Sequence, residues 1–169
     1  MNKYSLLIFI IFVSVIVPAQ DKNKTITDDE TGEPMLIGYT TREAFDDSNF
    51  SSWFNPEYDE YVPDSEILAL LNGKLDSVDI TIVMGSWCDD SHREVPGLFK
   101  ILDNLGYPSE KVNIISVNRD KKSEEGDIEG LDVKFVPTII FFRDGKELGR
   151  IVEMPNESLE KDMGKILNQ

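Results

Sequence analysis

Cysteine occurs once in the 169 residues, at Cys88, and histidine once, at His92. A single cysteine excludes a disulfide within the chain. It also leaves too few soft donors for a structural zinc site, which takes four ligands and several sulfurs or imidazoles. Cys88 and His92 lie four residues apart, and Asp89 or Asp90 would add a third ligand, but that set is incomplete. Neither a metal nor any other cofactor is expected. Basic residues are scarce as well, 17 against 32 acids, for a formal charge of −15. That balance argues against nucleic acid and anionic membrane surfaces as partners, since both select basic faces. The apolar run Leu6–Val17 is shorter than the roughly 20 residues of a membrane span.

That run has a different fit. Lys3 precedes it and the small-residue site Val17-Pro18-Ala19 follows it. Residues 1–19 are therefore expected to be a secretory signal peptide cleaved before Gln20, with an uncleaved N-terminal anchor as the alternative. After cleavage the chain is not expected to be an integral membrane protein. Residues 20–34 are polar, with Gly and Pro, and are expected to be a disordered lead-in. Residues 35–63 are expected to be an extension packing on the core: a short strand in Met35–Thr40, then a short helix from Thr41 to Phe50. The aromatic stretch Phe45, Phe50, Trp53, Phe54, Tyr58, Tyr61 is either a partner-binding patch or core packing, and large burial energies prefer packing. Pro56 and Pro63 are expected to break any long element there.

Residues 64–169 alternate in period. A helix capped by Asp64 or Ser65 presents Ile67, Leu68, Leu70 and Leu71 and ends at Gly73. Ile80–Met84 is a short β-branched run, the mark of a buried strand. Val95, Leu98, Leu102 and Leu105 then recur at helical spacing up to Gly106. Val112–Val117 is a second buried strand, so strand, helix, strand implies a parallel pair with a right-handed crossover. Residues 118–135 are charged, with no EF-hand ligand pattern, and are expected to be a solvated connection with a short helical turn. Thr138–Arg143 and Glu147–Val152 are strands joined by Asp144-Gly145, a strong hairpin signal. Asn156 is expected to cap a final helix facing inward through Leu159, Met163, Ile166 and Leu167.

Cys88 sits where the strand ends and the helix starts. Unpaired N–H groups and the dipole there favour a thiolate, while Asp89 and Asp90 oppose it. Trp87-Cys88-Asp89-Asp90-Ser91, Pro96 in the same helix, and Val136-Pro137-Thr138 before a strand and an Asp144-Gly145 turn together resemble the thioredoxin family. The resemblance covers residues from about Ser65 to the C-terminus. It implies an α/β thioredoxin fold, a central mixed sheet of about four strands with helices on both faces, plus the N-terminal extension. It implies Cys88 as nucleophile and a cis peptide at Pro137. Val136 would offer backbone groups to an extended substrate beside Trp87. Where the family carries a resolving cysteine this chain has Ser91, whose hydroxyl can hydrogen-bond to the Cys88 sulfur but cannot break a mixed disulfide. Ile82 and Ser116 stand near positions of a buried acid and lysine in many relatives. His92 either stabilises the thiolate or is an exposed helical residue without a role.

The function expected is thiol–disulfide exchange by one cysteine, trapping or isomerising exported proteins, in a periplasm. The partners are protein or peptide thiols and disulfides, with an external thiol to resolve them. It is not a dithiol reductase on its own. The alternative is a redox-inactive thioredoxin-fold binding or scaffold protein.

Overall fold

A computed structural model describes residues 22–123 and 128–168. The expected signal peptide, residues 1–19, lies outside the described residues. At the centre is β3 (Asp79–Met84). Its side chains alternate: Ile80, Ile82 and Met84 enter one large apolar cluster, and Val83 enters a smaller one on the opposite face. β4 (Val112–Ser116) pairs parallel on one side, and β5 (Thr138–Arg143) antiparallel on the other. Ile82 is thus flanked by Ile114 and Ile139 in an apolar ladder across three strands. β6 (Lys146–Val152) returns from β5 through Asp144 and Gly145, whose φ values of 51° and 72° give the left-handed pair that a tight hairpin requires.

The sheet has six strands, in the order β1-β2-β4-β3-β5-β6, where about four were expected. The additions come from the N-terminal segment. β2 (Pro34–Thr40) pairs antiparallel with β4, and β1 (Lys24–Thr27) pairs antiparallel with β2. Residues 22–34 are therefore not a disordered lead-in. Lys24-Thr25-Ile26-Thr27 has no apolar face because it is an edge strand, and hydropathy hides it there. Its β-branched Thr-Ile-Thr run, followed by a turn with Gly32 at φ 78°, was the available signal.

A 3-10 turn (Arg42–Asp46) and α1 (Ser48–Glu60) follow β2 in place of a helix over Thr41–Phe50. Asp47 caps α1 by accepting from the Asn49 N–H. Pro56 lies inside α1 and does not end it. The helix persists because tertiary packing outweighs the lost hydrogen bond: Phe50 and Phe54 are buried, and Phe54 stacks on Phe45 with centroids 4.6 Å apart. Arg42 fixes the extension to α3 (Asp89–Asn104) by a bidentate pair with Asp103 at 2.6 and 2.7 Å, and Tyr58 donates to the same carboxylate at 2.6 Å. The aromatic stretch is thus largely packing.

α2 (Ser65–Leu71) starts at its Asp64 cap. α4 (Leu159–Leu167) is capped by Ser158, not by Asn156, whose N–H instead donates to the Asp162 carboxylate. All four described α-helices send apolar side chains into the large cluster, but Leu70 of α2, expected to face in, is 69% exposed. Among the described residues no α-helix reaches the other face, where helices on both faces had been expected. The segment around Ile128, Leu131 and Val133, with a 3-10 turn at Glu129–Leu131, packs there instead. That segment is too charged and Gly-rich to build an amphipathic helix. No described helix is long and apolar enough to cross a membrane.

Candidate functional site

β3 delivers the chain into Gly85-Ser86-Trp87, and Cys88 is the N-cap of α3, with extended backbone at φ −102° and ψ 122°. The thiol is free and half-buried. Its Sγ donates to the Val136 carbonyl at 3.2 Å. The Val136–Pro137 peptide is cis. The loop carrying it is pinned on both sides: the Thr138 hydroxyl donates to Phe135 O at 2.7 Å, and the Glu153 N–H donates to Pro137 O at 2.8 Å. Val136 is itself buried, and its carbonyl is engaged by the thiol of the same chain rather than presented to a peptide. Phe135 and Met154, 51% and 57% exposed, leave apolar surface at the outer side of this loop.

Trp87 lies over Gly85, where an added Cβ would come within 2.5 Å of the indole. Only glycine permits that approach. The indole Nε1 donates to Val117 O at 2.9 Å. The first-turn acids divide their roles. Asp90 pairs with Arg93 at 2.7 Å, which offsets part of its charge beside the thiol, and Asp89 is exposed.

Two side chains are not where the sequence reading put them. Ser91 is fully buried, and its Oγ accepts from the Gly85 N–H at 3.3 Å. It braces the turn and makes no hydrogen bond to Cys88. His92 is not turned to the sulfur: its Nε2 bonds Ser86 O at 2.7 Å, and its ring stacks on Trp53 at 4.1 Å and 14°. The causes differ: Ser91 is claimed by Gly85 of the turn before α3, and His92 by Trp53 of the extension.

The same extension supplies residues the sequence did not flag. The Leu36 N–H donates to Ser86 Oγ at 2.8 Å, tying β2 to the thiol loop. Asp28, in the β1–β2 turn and 3% exposed, accepts two hydrogen bonds from Arg119 Nε and one from Nη2. The guanidinium holds the Asp28 carboxyl far below the usual carboxylate range. The folded state therefore prefers the ionised form. Its contribution to stability is present in full above the unfolded-state value of about 3.9 and is lost as pH falls from there toward the folded-state value. The urea midpoints of wild type and Asp28→Asn should accordingly differ at neutral pH and converge in strong acid. A difference independent of pH would show that the charge is not what matters.

Among the described residues no group of three or more His, Cys, Asp or Glu side chains is placed to hold a metal ion. The arrangement that does exist is a thiol at a helix start, against a cis-proline loop at the end of a central β-strand. A thioredoxin from Chlamydia pneumoniae is 32% identical over 71 residues, 42% of this chain and 64% of that protein. Over that stretch the chain is similar to a thioredoxin. The matched stretch spans less than two-thirds of that relative's length. No family model matches. Among solved structures, a Pseudomonas aeruginosa protein of unknown function aligns with TM-score 0.52 and 14% identity over 70% of this chain and 81% of its own. Oxidised thioredoxin O2 of Arabidopsis thaliana aligns at TM-score 0.37 and 21% identity over 62% and 83%. The strand order β4-β3-β5-β6, with β3 and β4 parallel and a cis-proline entering β5, is the thioredoxin fold expected from the sequence, widened by two N-terminal strands. Ser91 and Ile82, which stand where the resemblance would place a resolving cysteine and a buried acid, are both buried.

Proposed function

We propose that this is an exported thioredoxin-like protein in which Cys88 is the nucleophile of thiol–disulfide exchange on exported proteins, in a periplasm. The observation that carries the reading is the half-buried Cys88 at a helix start, its sulfur 3.2 Å from the carbonyl before the cis-proline. In the step proposed, the Cys88 thiolate attacks one sulfur of a partner disulfide. A new S–S bond forms to Cys88, the partner's S–S bond breaks, and the departing thiolate takes a proton from solvent. Ser91 cannot reverse this, so release waits for a thiol of the partner or of an external donor. Trp87, Val136 and Pro137 frame the approach, and His92 and Ser91 hold the loop rather than act on the sulfur.

Trapping tests it. Non-reducing gels of an exported fraction should show adducts on a chain beginning at Gln20, abolished by reductant and by Cys88→Ala. Adducts that survive Cys88→Ala, or none at all, would sink the proposal. The second reading is a binding protein that kept the fold without the chemistry. The engaged S–H and the apolar ladder at Ile82 speak for it. It requires partner binding that iodoacetamide leaves unchanged.

A further inference from the structure

Arg119 stands three residues past β4, in a turn closed by Lys121 N–H to Asn118 O at 2.8 Å and by Lys122 N–H to Asn118 Oδ1 at 2.9 Å. Its guanidinium has two attachments. One edge grips the buried Asp28, with Nη1 3.2 Å from Glu30. One face lies over the Trp87 ring, 5.0 Å from the centroid. Asp28 is itself fixed by the Glu30 N–H at 3.2 Å and the Thr31 hydroxyl at 2.9 Å. The indole next to Cys88 is therefore held on its face by Arg119, at its N–H by Val117 and from behind by Gly85. Beside it lies a cavity of ≈ 230 Å³ lined by Asp28, Trp53, Ser86, Trp87, His92 and Arg119.

We propose that Arg119 is a positioning residue for the thiol site: clamped by Asp28 of the N-terminal hairpin, it holds the Trp87 indole in the orientation that limits access to Cys88. The assignment rests on Cys88 as the reacting group. It makes the hairpin a working part of the site and not only extra sheet. The clamp spans 91 residues, so it forms only when the hairpin has docked on the finished domain. Arginine suits both attachments at once, since its planar fork pairs with a carboxylate while its face stacks on an aromatic ring. Lysine offers the charge without the plane.

Two rates test it in wild type, Arg119→Met and Arg119→Lys. The first is hydrogen exchange of the Trp87 indole N–H, told from Trp53 by a Trp53→Phe spectrum. The second is alkylation of Cys88 by iodoacetamide. Exchange of the Ile82 amide serves as the measure of global opening. In Arg119→Met the indole exchange and the alkylation should each rise roughly tenfold beyond any change at Ile82, the scale of one lost cation–π and charge-assisted contact. Arg119→Lys should fall between the two. If Arg119→Met does not fold, Arg119→Lys carries the test, with a rise of about threefold in both rates. Indole exchange that only tracks Ile82 overturns the proposal, and so does an opened indole with unchanged alkylation. If Cys88 forms no mixed disulfides, the exchange chemistry fails while these rates remain readable, because alkylation needs only the thiol.

Discussion

Ser91→Cys should let the chain discharge the mixed disulfides that the proposed chemistry would leave on Cys88. With 5,5′-dithiobis(2-nitrobenzoate), Cys88 of the wild type should release one equivalent of thionitrobenzoate and stop at the protein mixed disulfide. The variant should release a second equivalent as the new thiolate attacks the Cys88 sulfur, closing an S–S bond within the chain and expelling the thionitrobenzoate anion. An intramolecular thiol acts at an effective concentration of millimolar or more, so discharge should be roughly a hundredfold faster than with micromolar external thiol. Residues three apart on a helix have Cβ atoms about 5–6 Å apart, and a disulfide wants about 3.8 Å. Cys88 can close that gap because it is the cap, outside the helical backbone. The substitution has a cost: Ser91 is buried and receives the Gly85 N–H, and a sulfur accepts it poorly, a loss of about 1 kcal/mol. A second equivalent that never appears would mean the position-91 sulfur stays locked in the interior.

Phe45→Ala should cost about 3–5 kcal/mol, the usual range for truncating a fully buried phenylalanine. Phe45 is 1% exposed and sits at the hub of the extension's ring cluster, stacked on Phe54 and edge-on to Trp53 at 5.6 Å and to Phe99 at 6.4 Å. Against a typical total of about 5–15 kcal/mol this is a large share, and urea denaturation should show it as a lowered midpoint. The loss should also reach the thiol loop, because Trp53 links this cluster to His92 and His92 holds Ser86. Loosening would appear as faster exchange of the Trp53 indole N–H. A change under 1 kcal/mol would show that the extension contributes little to the fold.

The contrast between these two positions explains what could be read from the sequence. The β3–α3 unit, Cys88 at its junction, the Asp64 cap and the Asp144-Gly145 hairpin are local: period, cap and turn residues lie within a few positions of what they determine. β1 was missed because an edge strand needs no apolar face. The helix through Pro56 was missed because only packing against α3 sustains it. The roles of Ser91 and His92 were misassigned for the same reason. Each was judged by its distance along the helix from Cys88, while the partners that claim them, Gly85 and Trp53, are set by the folded arrangement of the turn and the extension. Arg119 and Asp28, or Leu36 and Ser86, carry no local mark at all, being 91 and 50 residues apart. The sequence shows which thiol stands at the helix start, but the residues that brace it come from the opposite end of the chain.

The isoleucine ladder through positions 82, 114 and 139 has a bearing on how protons move. Three hydrocarbon side chains abreast at the middle of the sheet give no relay group and no foothold for water. A proton exchanged at Cys88 therefore has no route through the sheet at these three positions.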